Sequence, residues 1–208
     1  AIYDECDVCD GNDSSCNQPV AFYSTINTDE DTSVDILLEG FDPNGDDIVF
    51  SIVNEPLSGT LTGNVPNVIY TPDIDFNGSD SFSFIVSDGV WTSVTGVVTI
   101  NVTSVNDAPV MFNIENQEIN EDGLLSLNLF AGDVDGDELS FEATANEGAE
   151  IILNGNALTV TPNENFNGTI DVSVTVTDGE LSDTETFILN VLPVNDPMVF
   201  SEIYNQTT

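Results

Sequence analysis

Residues 40–51 read GFDPNGDDIVFS, and residues 131–141 read AGDVDGDELSF. Each stretch places acidic or amide side chains around a glycine and follows them with a phenylalanine. Five positions recur 91 residues apart: Asp42, Asn44, Gly45, Asp46 and Phe50 correspond to Asp133, Asp135, Gly136, Asp137 and Phe141. Such a recurrence indicates that one structural unit occurs twice along the chain.

The similarity between the two halves extends well beyond these loops. At an offset of 90, residues 71–79 match residues 161–169, and residues 86–89 match residues 176–179. At an offset of 89, Val105-Asn106-Asp107 matches Val194-Asn195-Asp196. Because the offset drifts by one residue at a time, the halves differ by small loop deletions. The sequence therefore predicts a tandem repeat.

Short runs of alternating apolar and polar residues fill each repeat, separated by Gly, Asp, Asn and Pro. Residues 81–86 and 171–176 alternate in this way, and residues 97–102 and 187–191 close the two repeats. This period of two is typical of half-buried strands, and no amphipathic helix stands out. About seven short strands in roughly 90 residues predict an all-β fold of two tandem Greek-key β-sandwich domains.

The repeats divide the chain into four segments. We predict a Cys/Asp-rich linker at 1–16, repeat 1 at 17–105, repeat 2 at 106–194 and the first strand of a further repeat at 195–208. The last segment resembles the openings of the other two, and one strand cannot bury its apolar face alone. Either the chain is a piece of a longer protein, or Val199, Phe200 and Ile203 form a strand donated to a neighbouring copy.

The composition excludes whole functional classes. The 208 residues include no Lys, Arg or His but 38 Asp plus Glu, for a formal net charge of −38. Without basic residues the chain is not expected to bind nucleic acid or an anionic membrane, and no apolar run approaches the roughly 20 residues of a membrane helix. Catalysis by His or Lys is impossible. Carboxylate repulsion must be relieved from outside, for which divalent cations are suited.

Acidic residues recur in three motifs per repeat: at the end of the first strand, in an early loop and at the repeat boundary. The candidate metal ligands are Glu30, Asp31, Asp42, Asn44, Asp46, Asn106, Asp107, Glu121, Asp122, Asp133, Asp135, Asp137, Asn195 and Asp196. Calcium takes six to eight oxygen ligands, more than one loop offers. We predict a shared interdomain calcium site built from Asn106, Asp107, Glu121, Asp133 and Asp135.

The alternative is that the Asp-x-Asn-Gly-Asp loops are simply turns, because Asp, Asn and Gly favour turns in any case. Recurrence at equivalent positions, with no basic residue to neutralise the loops, favours calcium. The Ser87-Asp88-Gly89 and Thr177-Asp178-Gly179 segments are interpreted first as turns.

Together these motifs resemble the cadherin-like tandem repeats of bacterial surface proteins and adhesins. The resemblance rests on Asn-Glu-Asp, Asp-x-Asp-Gly-Asp, Thr-Pro-x-x-x-Phe-Asn-Gly, Val-x-Asp-Gly and Val-Asn-Asp-Ala-Pro, and covers residues 17–197. It implies Ig-like or cadherin-like sandwiches that calcium stiffens into extracellular rods, some of them adhesive. Two departures stand out: Ala108 follows Asn106-Asp107 where an additional Asn or Asp is usual, and repeat 1 is preceded by Asn17-Gln18-Pro19 without the acid.

The N-terminal segment contains Cys6, Cys9 and Cys16 among acidic residues. It resembles the Cys- and Asp-rich linkers similar to thrombospondin type 3 repeats. Zinc binding would need a fourth soft ligand, and surrounding acids disfavour a reactive thiol. A disulfide in an oxidising compartment is favoured, with one cysteine left free or paired outside the chain.

Three functions remain open. The favoured one is a non-enzymatic, extracellular calcium-stabilised rod or fibre subunit that assembles head to tail with copies of itself or with neighbouring repeats. The second is a calcium-dependent glycan- or protein-binding module, with Trp91 and Tyr70 as candidate aromatic contacts, although core packing explains each of them at least as well. A hydrolase that uses paired carboxylates is disfavoured. Asn-x-Ser/Thr sequons at Asn12, Asn77, Asn101, Asn167 and Asn205 occur about as often as chance gives, although they permit attached glycans.

Overall fold

The structure, a computed structural model, describes residues 18–146 and 148–195. Strands and loops make up this part of the chain, and the predicted all-β fold of two tandem Ig-like domains is confirmed. The chain divides into two compact units between Val105 and Asn106. We call residues up to 105 unit 1 and residues from 106 onwards unit 2. Among the described residues there is no helix of the length and apolarity that a membrane span requires.

Unit 1 is built from two main sheets. In its described part the strands are β1 (Val20–Ala21), β2 (Ser24–Asp29), β3 (Val34–Leu37), β4 (Gly40–Phe41), β5 (Val49–Asn54), β6 (Gly59–Asn64), β7 (Asn67–Pro72), β8 (Gly78–Ser87) and β9 (Gly96–Thr103). One sheet has the order β2-β9-β8-β5 and the other β3-β7-β6, and β1 pairs with β4.

Unit 2 repeats this plan strand for strand. Its described strands are β10 (Val110–Met111), β11 (Gln117–Asn120), β12 (Leu125–Asn128), β13 (Ala131–Gly132), β14 (Ser140–Ala145), β15 (Ala149–Asn154), β16 (Ala157–Pro162), β17 (Gly168–Thr177) and β18 (Ser182–Leu192). The sheets have the orders β11-β18-β17-β14 and β12-β16-β15, and β10 pairs with β13.

Side chains alternate between buried and exposed positions along the long strands, and the buried ones form much of the two cores. In β17 the side chains of Ile170, Val172, Val174 and Val176 are completely buried, and the residues between them face away from the core. Each buried aliphatic side chain of this kind contributes about 1.5–3 kcal/mol relative to an exposed one. In β8 the corresponding positions begin with Asp80 and continue with phenylalanines and a valine. The predicted strands at 81–86 and 171–176 are therefore confirmed.

One pairing controls where the loops lie. In both units the first long strand runs parallel to the last one, β2 beside β9 and β11 beside β18. Asp29 is paired with Thr103, and Asn120 is paired with Leu192. The residues that follow the first strand therefore lie where the last strand ends.

A buried polar pair distinguishes unit 1 from unit 2. The Tyr70 hydroxyl donates to Asp80 at 3.0 Å, and both side chains are buried. Asp80 also accepts the backbone N–H groups of Leu57 and Ser58 at 3.0 and 2.9 Å. The equivalent positions of unit 2 are Val160 and Ile170, both apolar and buried. Unit 1 thus supports its 57–58 loop with a carboxylate that unit 2 does without.

The opening strand of each unit, β1 or β10, packs onto the core of that same unit. Ala21 of β1 and Met111 of β10 are buried in the two cores.

Some residues singled out by the sequence are not covered by the described structure. The predicted donor-strand residues Val199, Phe200 and Ile203 lie outside the described residues, as do Cys6, Cys9, Cys16 and Asp196.

Candidate metal site

The loop between β13 and β14 is wound around the carboxylate of Asp133. Asp133 Oδ1 accepts the backbone N–H groups of Asp135, Gly136 and Asp137 at 2.9, 3.1 and 3.4 Å. Gly136 has a φ of 80°, a left-handed conformation that glycine adopts without steric cost. These bonds fold the Asp-x-Asp-Gly-Asp segment into a turn, so the turn interpretation is correct as far as the backbone is concerned.

The same turn brings three carboxylates together. Asp133, Asp135 and Asp137 each offer one oxygen, and these three oxygens lie within 4.8 Å of one another. Asp133 Oδ2 is buried and accepts no hydrogen bond from the described residues. A buried polar atom without a partner costs roughly 1–3 kcal/mol, and more when it is charged. The converging negative charges therefore suit a bound cation.

Two further segments reach this loop within unit 2. The Asp107 N–H donates to Asp135 Oδ2 at 2.8 Å, and the Asn106 side chain donates to Asp178 Oδ2 at 2.9 Å. The hydrogen bond from Asn106, together with N–H groups of the following turn, holds the pKa of Asp178 below its usual value. Four of the five residues predicted for the calcium site, all except Glu121, therefore lie together with Asp178.

Asp178 was not among the predicted ligands. Its Oδ1 accepts the N–H groups of Glu180 and Leu181 at 2.6 and 2.7 Å, which is the turn that the sequence predicts. Its other oxygen meets Asn106. The recurrence of Val-x-Asp-Gly in both repeats was the signal that could have included this residue.

Glu121 does not join the site, and this part of the prediction is wrong. Glu121 follows β11, which ends beside Leu192, whereas Ser140 after the acidic loop is paired with Thr177 next to the start of β18. The 11 residues of β18 separate the two places, a length of roughly 35 Å. Glu121 lies far from the Asp133 loop because the first strand of the unit runs parallel to the last one. Asp122 follows Glu121, and the equivalent Glu30 and Asp31 are displaced in the same way from the Asp42 loop.

Glu30 and Glu121 instead bind neutral donors at the ends of the last strands. Both are buried. Glu121 accepts the Val194 N–H at 2.5 Å and the Asn167 side chain at 3.3 Å. Glu30 accepts the Val105 N–H and the Asn77 side chain at the same two distances.

The neighbouring aspartates hold the same loops from the other side. Asp31 and Asp122 have φ values of 55° and 61°, and they accept the N–H groups of Asp75 and Asn165 at 3.3 and 3.4 Å. These acidic pairs therefore fasten the Phe-Asn-Gly loops within each unit. Asn195, another predicted ligand, is exposed just beyond β18.

In unit 1 the loop between β4 and β5 repeats the geometry of the Asp133 loop. Asp42 Oδ1 accepts the N–H groups of Asn44, Gly45 and Asp46 at 3.0, 3.1 and 3.2 Å. The Asn44 side chain donates to Asp46 Oδ2 at 2.7 Å. The three predicted ligands of this loop are thus brought together.

The two candidate aromatic contacts differ in their exposure to solvent. Tyr70 is completely buried, so of the two interpretations that the sequence allowed, core packing is correct and a surface contact is not. Trp91 is 43% exposed in the turn that follows Asp88.

Several solved structures resemble this chain, and the first of those named here agrees with the fold. Human protocadherin-24 EC1-2 matches at 14% identity and a TM-score of 0.57, over 86% of this chain and 99% of that one. Human mucin-like protocadherin EC1-2 matches at 20% identity and a TM-score of 0.49, over 86% and 100%. The endo-fucoidan hydrolase MfFcnA4 matches at 20% identity and a TM-score of 0.40, over 88% of this chain but only 30% of the hydrolase, and carries no argument about activity.

The sequence itself matches a known domain family twice. A search of curated protein sequences finds no match. The profile of the bacterial Ig domain matches residues 16–101 and 106–190, which together make up most of the chain. The chain therefore belongs to the bacterial Ig domain family, of which it carries two tandem copies.

Proposed function

We propose that the chain is a calcium-stabilised structural or adhesive module of an extracellular surface protein. Bacterial Ig domains are typical of extracellular and surface proteins, which supports this location. The observation that carries the calcium proposal is the buried, unpartnered oxygen of Asp133 among three converging carboxylates. In a chain without Lys, Arg or His, a cation from solution is the available counter-charge. That the chain is not an enzyme stays a prediction.

The donor set favours calcium over other metals. The side chains at this end of unit 2 offer carboxylate oxygens from Asp133, Asp135, Asp137 and Asp178, with water to complete the shell. Hard oxygen donors suit calcium or magnesium, and calcium accepts the irregular geometry and higher ligand number of a flexible loop. Zinc and copper prefer nitrogen or sulfur ligands.

Calcium bound here would join three segments of unit 2. The Asp133 loop, the turn that contains Asp178 and the entry segment Asn106-Asp107 already share hydrogen bonds. A metal that replaces the mutual repulsion of their carboxylates with attraction would stiffen the segment through which the chain enters unit 2. That this calcium site is shared between the two repeats stays a prediction.

Calorimetric titration of the full chain with calcium tests this proposal. We expect binding in the wild type and its loss, or a weakening of at least tenfold, in Asp133→Asn and Asp135→Asn. Glu142→Gln, an exposed strand residue in the same unit, is the matched control and should bind as the wild type does. Equal binding by all four proteins would refute the unit 2 site.

We also propose that the modules assemble end to end, with copies of the chain or with neighbouring repeats as partners. The support is the similarity of residues 197–200 to the repeat openings. Because β1 and β10 already fill the opening position of both units, a donated strand would need an acceptor whose own opening strand is displaced or missing. Deleting residues 198–208 should abolish polymers seen by electron microscopy, and filaments that persist would exclude strand donation.

A further inference from the structure

Asparagine is followed directly by glycine at four places in the chain: Asn44, Asn77, Asn154 and Asn167. In such a pair the glycine nitrogen can attack the side-chain carbonyl carbon of the asparagine, because glycine has no side chain that hinders the approach. The reaction needs an asparagine amide that is free to turn and a glycine N–H that is free of hydrogen bonds. The tertiary structure therefore decides which of the four pairs can react.

The pair in the Asp42 loop is held at both reacting groups. The Asn44 amide donates to Asp46 Oδ2 at 2.7 Å. The Gly45 N–H donates to Asp42, with Oδ1 at 3.1 Å and the backbone carbonyl oxygen at 3.2 Å. These hydrogen bonds must break before the glycine nitrogen can reach the amide carbon, so the native loop protects Asn44.

The two Phe-Asn-Gly pairs are held by the buried glutamates. The Asn77 amide donates to Glu30 and the Asn167 amide donates to Glu121, each at 3.3 Å. The glycines that follow begin β8 and β17, and each is paired with the last strand of its unit. Turning either amide towards its glycine would remove a hydrogen-bond donor from a buried carboxylate, which is unfavourable.

Asn154 lacks this protection. It is the exposed last residue of β15, and it is paired with Ala157 across a two-residue turn of Gly155 and Asn156. Gly155 has a φ of 61°, a positive value that glycine commonly adopts in such hairpin turns. Neither the Asn154 side chain nor the Gly155 N–H is hydrogen-bonded to another of the described residues. Both reacting groups are therefore free.

We propose that Asn154 is a site of spontaneous, non-enzymatic deamidation that does not depend on calcium. The Gly155 nitrogen gives its proton to solvent and bonds to Asn154 Cγ, while the Cγ–Nδ2 bond breaks and Nδ2 leaves as ammonia. The five-membered succinimide then takes up one water molecule. Opening at one carbonyl gives aspartate, and opening at the other gives isoaspartate, whose main chain continues through the former side-chain carbon. Water is the only co-reactant, and nothing is oxidised or reduced.

Unit 1 carries a natural control at the same place in its own hairpin. Asn64 ends β6 and is paired with Asn67, as Asn154 is paired with Ala157. Val65 stands directly after Asn64. Its branched side chain crowds the backbone nitrogen that would have to attack. Deamidation is therefore expected at the hairpin of unit 2 and not at that of unit 1.

The modification would weaken the attachment of the hairpin to the core of unit 2. The Asn156 carbonyl oxygen accepts the Leu129 N–H at 2.8 Å, and the Asn156 side chain donates to the Leu129 carbonyl oxygen at 3.1 Å. Leu129 is buried in the core. Isoaspartate adds one carbon atom to the main chain just before this turn. The added atom shifts the pairing of β15 with β16 and strains the link to Leu129.

Peptide mapping of aged protein tests the proposal. The full chain is incubated in mildly alkaline buffer with EGTA, and heavy-oxygen water labels each newly formed carboxylate. Because the chain contains no Lys or Arg, it is digested at acidic or aromatic residues before mass spectrometry. We expect Asn154 to convert roughly tenfold faster, or more, than the other three Asn-Gly asparagines, because their protecting hydrogen bonds must open first. Asn64 should stay intact.

Two controls separate protection by the fold from the chemistry of the sequence. In concentrated urea, where the chain is unfolded, the four Asn-Gly pairs should convert at similar rates. Asn154→Ser should lose the modified peptide and should keep its urea midpoint on ageing, while the aged wild type unfolds at lower urea.

The outcomes bear on separate parts of the proposal. An Asn154 that converts no faster than the three held asparagines in the folded chain would overturn the modification site. Aged wild type and aged Asn154→Ser that unfold at the same urea concentration would overturn the effect on the hairpin.

Discussion

Glu121 and Val194 are joined by a hydrogen bond from the backbone N–H to the buried carboxylate, and Glu30 and Val105 are joined in the same way in the other repeat. The chain contains no basic side chain that could pair with these carboxylates. Backbone and amide N–H groups stabilise them instead. The result is a connection between the end of the first strand, the exit of the last strand and the Phe-Asn-Gly loop. Burial of a carboxylate in this chain is therefore not by itself evidence of a metal site, because neutral N–H donors can also stabilise it.

Removing this connection should destabilise unit 2. Glu121→Ala leaves the Val194 N–H and the Asn167 amide without their acceptor, which costs about 1–3 kcal/mol in the free energy of unfolding. Urea unfolding in EGTA, followed by far-UV circular dichroism, measures the change. Glu142→Ala, an exposed strand position, is the control. If the two variants unfold at the same urea concentration, the connection contributes nothing.

Calcium should raise the thermal stability of the chain through the Asp133 loop. At free calcium one hundred times the dissociation constant, a site that exists only in the folded state adds about 2.7 kcal/mol. Asp133→Asn should lose most of this gain, while its melting temperature in EGTA stays close to that of the wild type or rises, because one repelling charge is gone. Differential scanning calorimetry with and without calcium checks both. A gain that is unchanged in Asp133→Asn would place the metal elsewhere.

The stability of unit 1 should depend on acid through Asp80. Burial raises the pKa of Asp80, but the N–H groups of Leu57, Ser58 and Ser81 and the Tyr70 hydroxyl outweigh it, so the pKa lies below its usual value. The contribution is therefore complete above the unfolded pKa of about 3.9 and is lost as the pH falls through the lower folded value. In Asp80→Asn this acid-dependent part should disappear.

Thermal unfolding of unit 1, followed by Trp91 fluorescence in EGTA, measures this dependence from about pH 6 down to about pH 2. Asp35→Asn, an exposed position on β3, is the control and should keep the wild-type profile. A profile of Asp80→Asn that runs parallel to the wild type would show that the Asp80 contacts do not contribute.

Gly59 should not tolerate a side chain. A Cβ at this position would lie 2.6 Å from both the Tyr70 ring and the Thr71 carbonyl oxygen. Gly59→Ala should therefore destabilise unit 1 by about 1–3 kcal/mol, the usual cost of overpacking. The equivalent residue of unit 2 is Ala149, and the position equivalent to Tyr70 holds the smaller Val160. Chemical denaturation followed by Trp91 fluorescence measures the loss.

Gly132→Ala is the matched control, because the nearest atom to its Cβ would be in the Phe112 ring at 3.7 Å, an ordinary contact. Since Gly132 lies in unit 2, its effect is measured by far-UV circular dichroism. A Gly59→Ala variant as stable as Gly132→Ala would mean that Tyr70 moves aside without cost.

Local patterns were enough for the fold and for part of the site. The alternation in residues 171–176 predicted a strand because successive side chains of a strand point to opposite faces. The Asp-x-Asp-Gly-Asp loop predicted converging carboxylates because Asp133 can accept the N–H groups of the residues just after it. Both depend on near neighbours in the sequence, which is why they could be predicted without coordinates.

The repeat, the strands and the absence of any internal cation follow from the residues alone. The distance of Glu121 from Asp133 and the contact between Asp178 and Asn106 do not, and neither do the burial of Tyr70 and the exposure of Trp91. These features depend on the partner and direction of each strand, which are set by the packing of a whole sheet. A parallel pairing of the first and last strands moves an entire acidic motif to the other end of the sandwich without changing one residue of its local sequence.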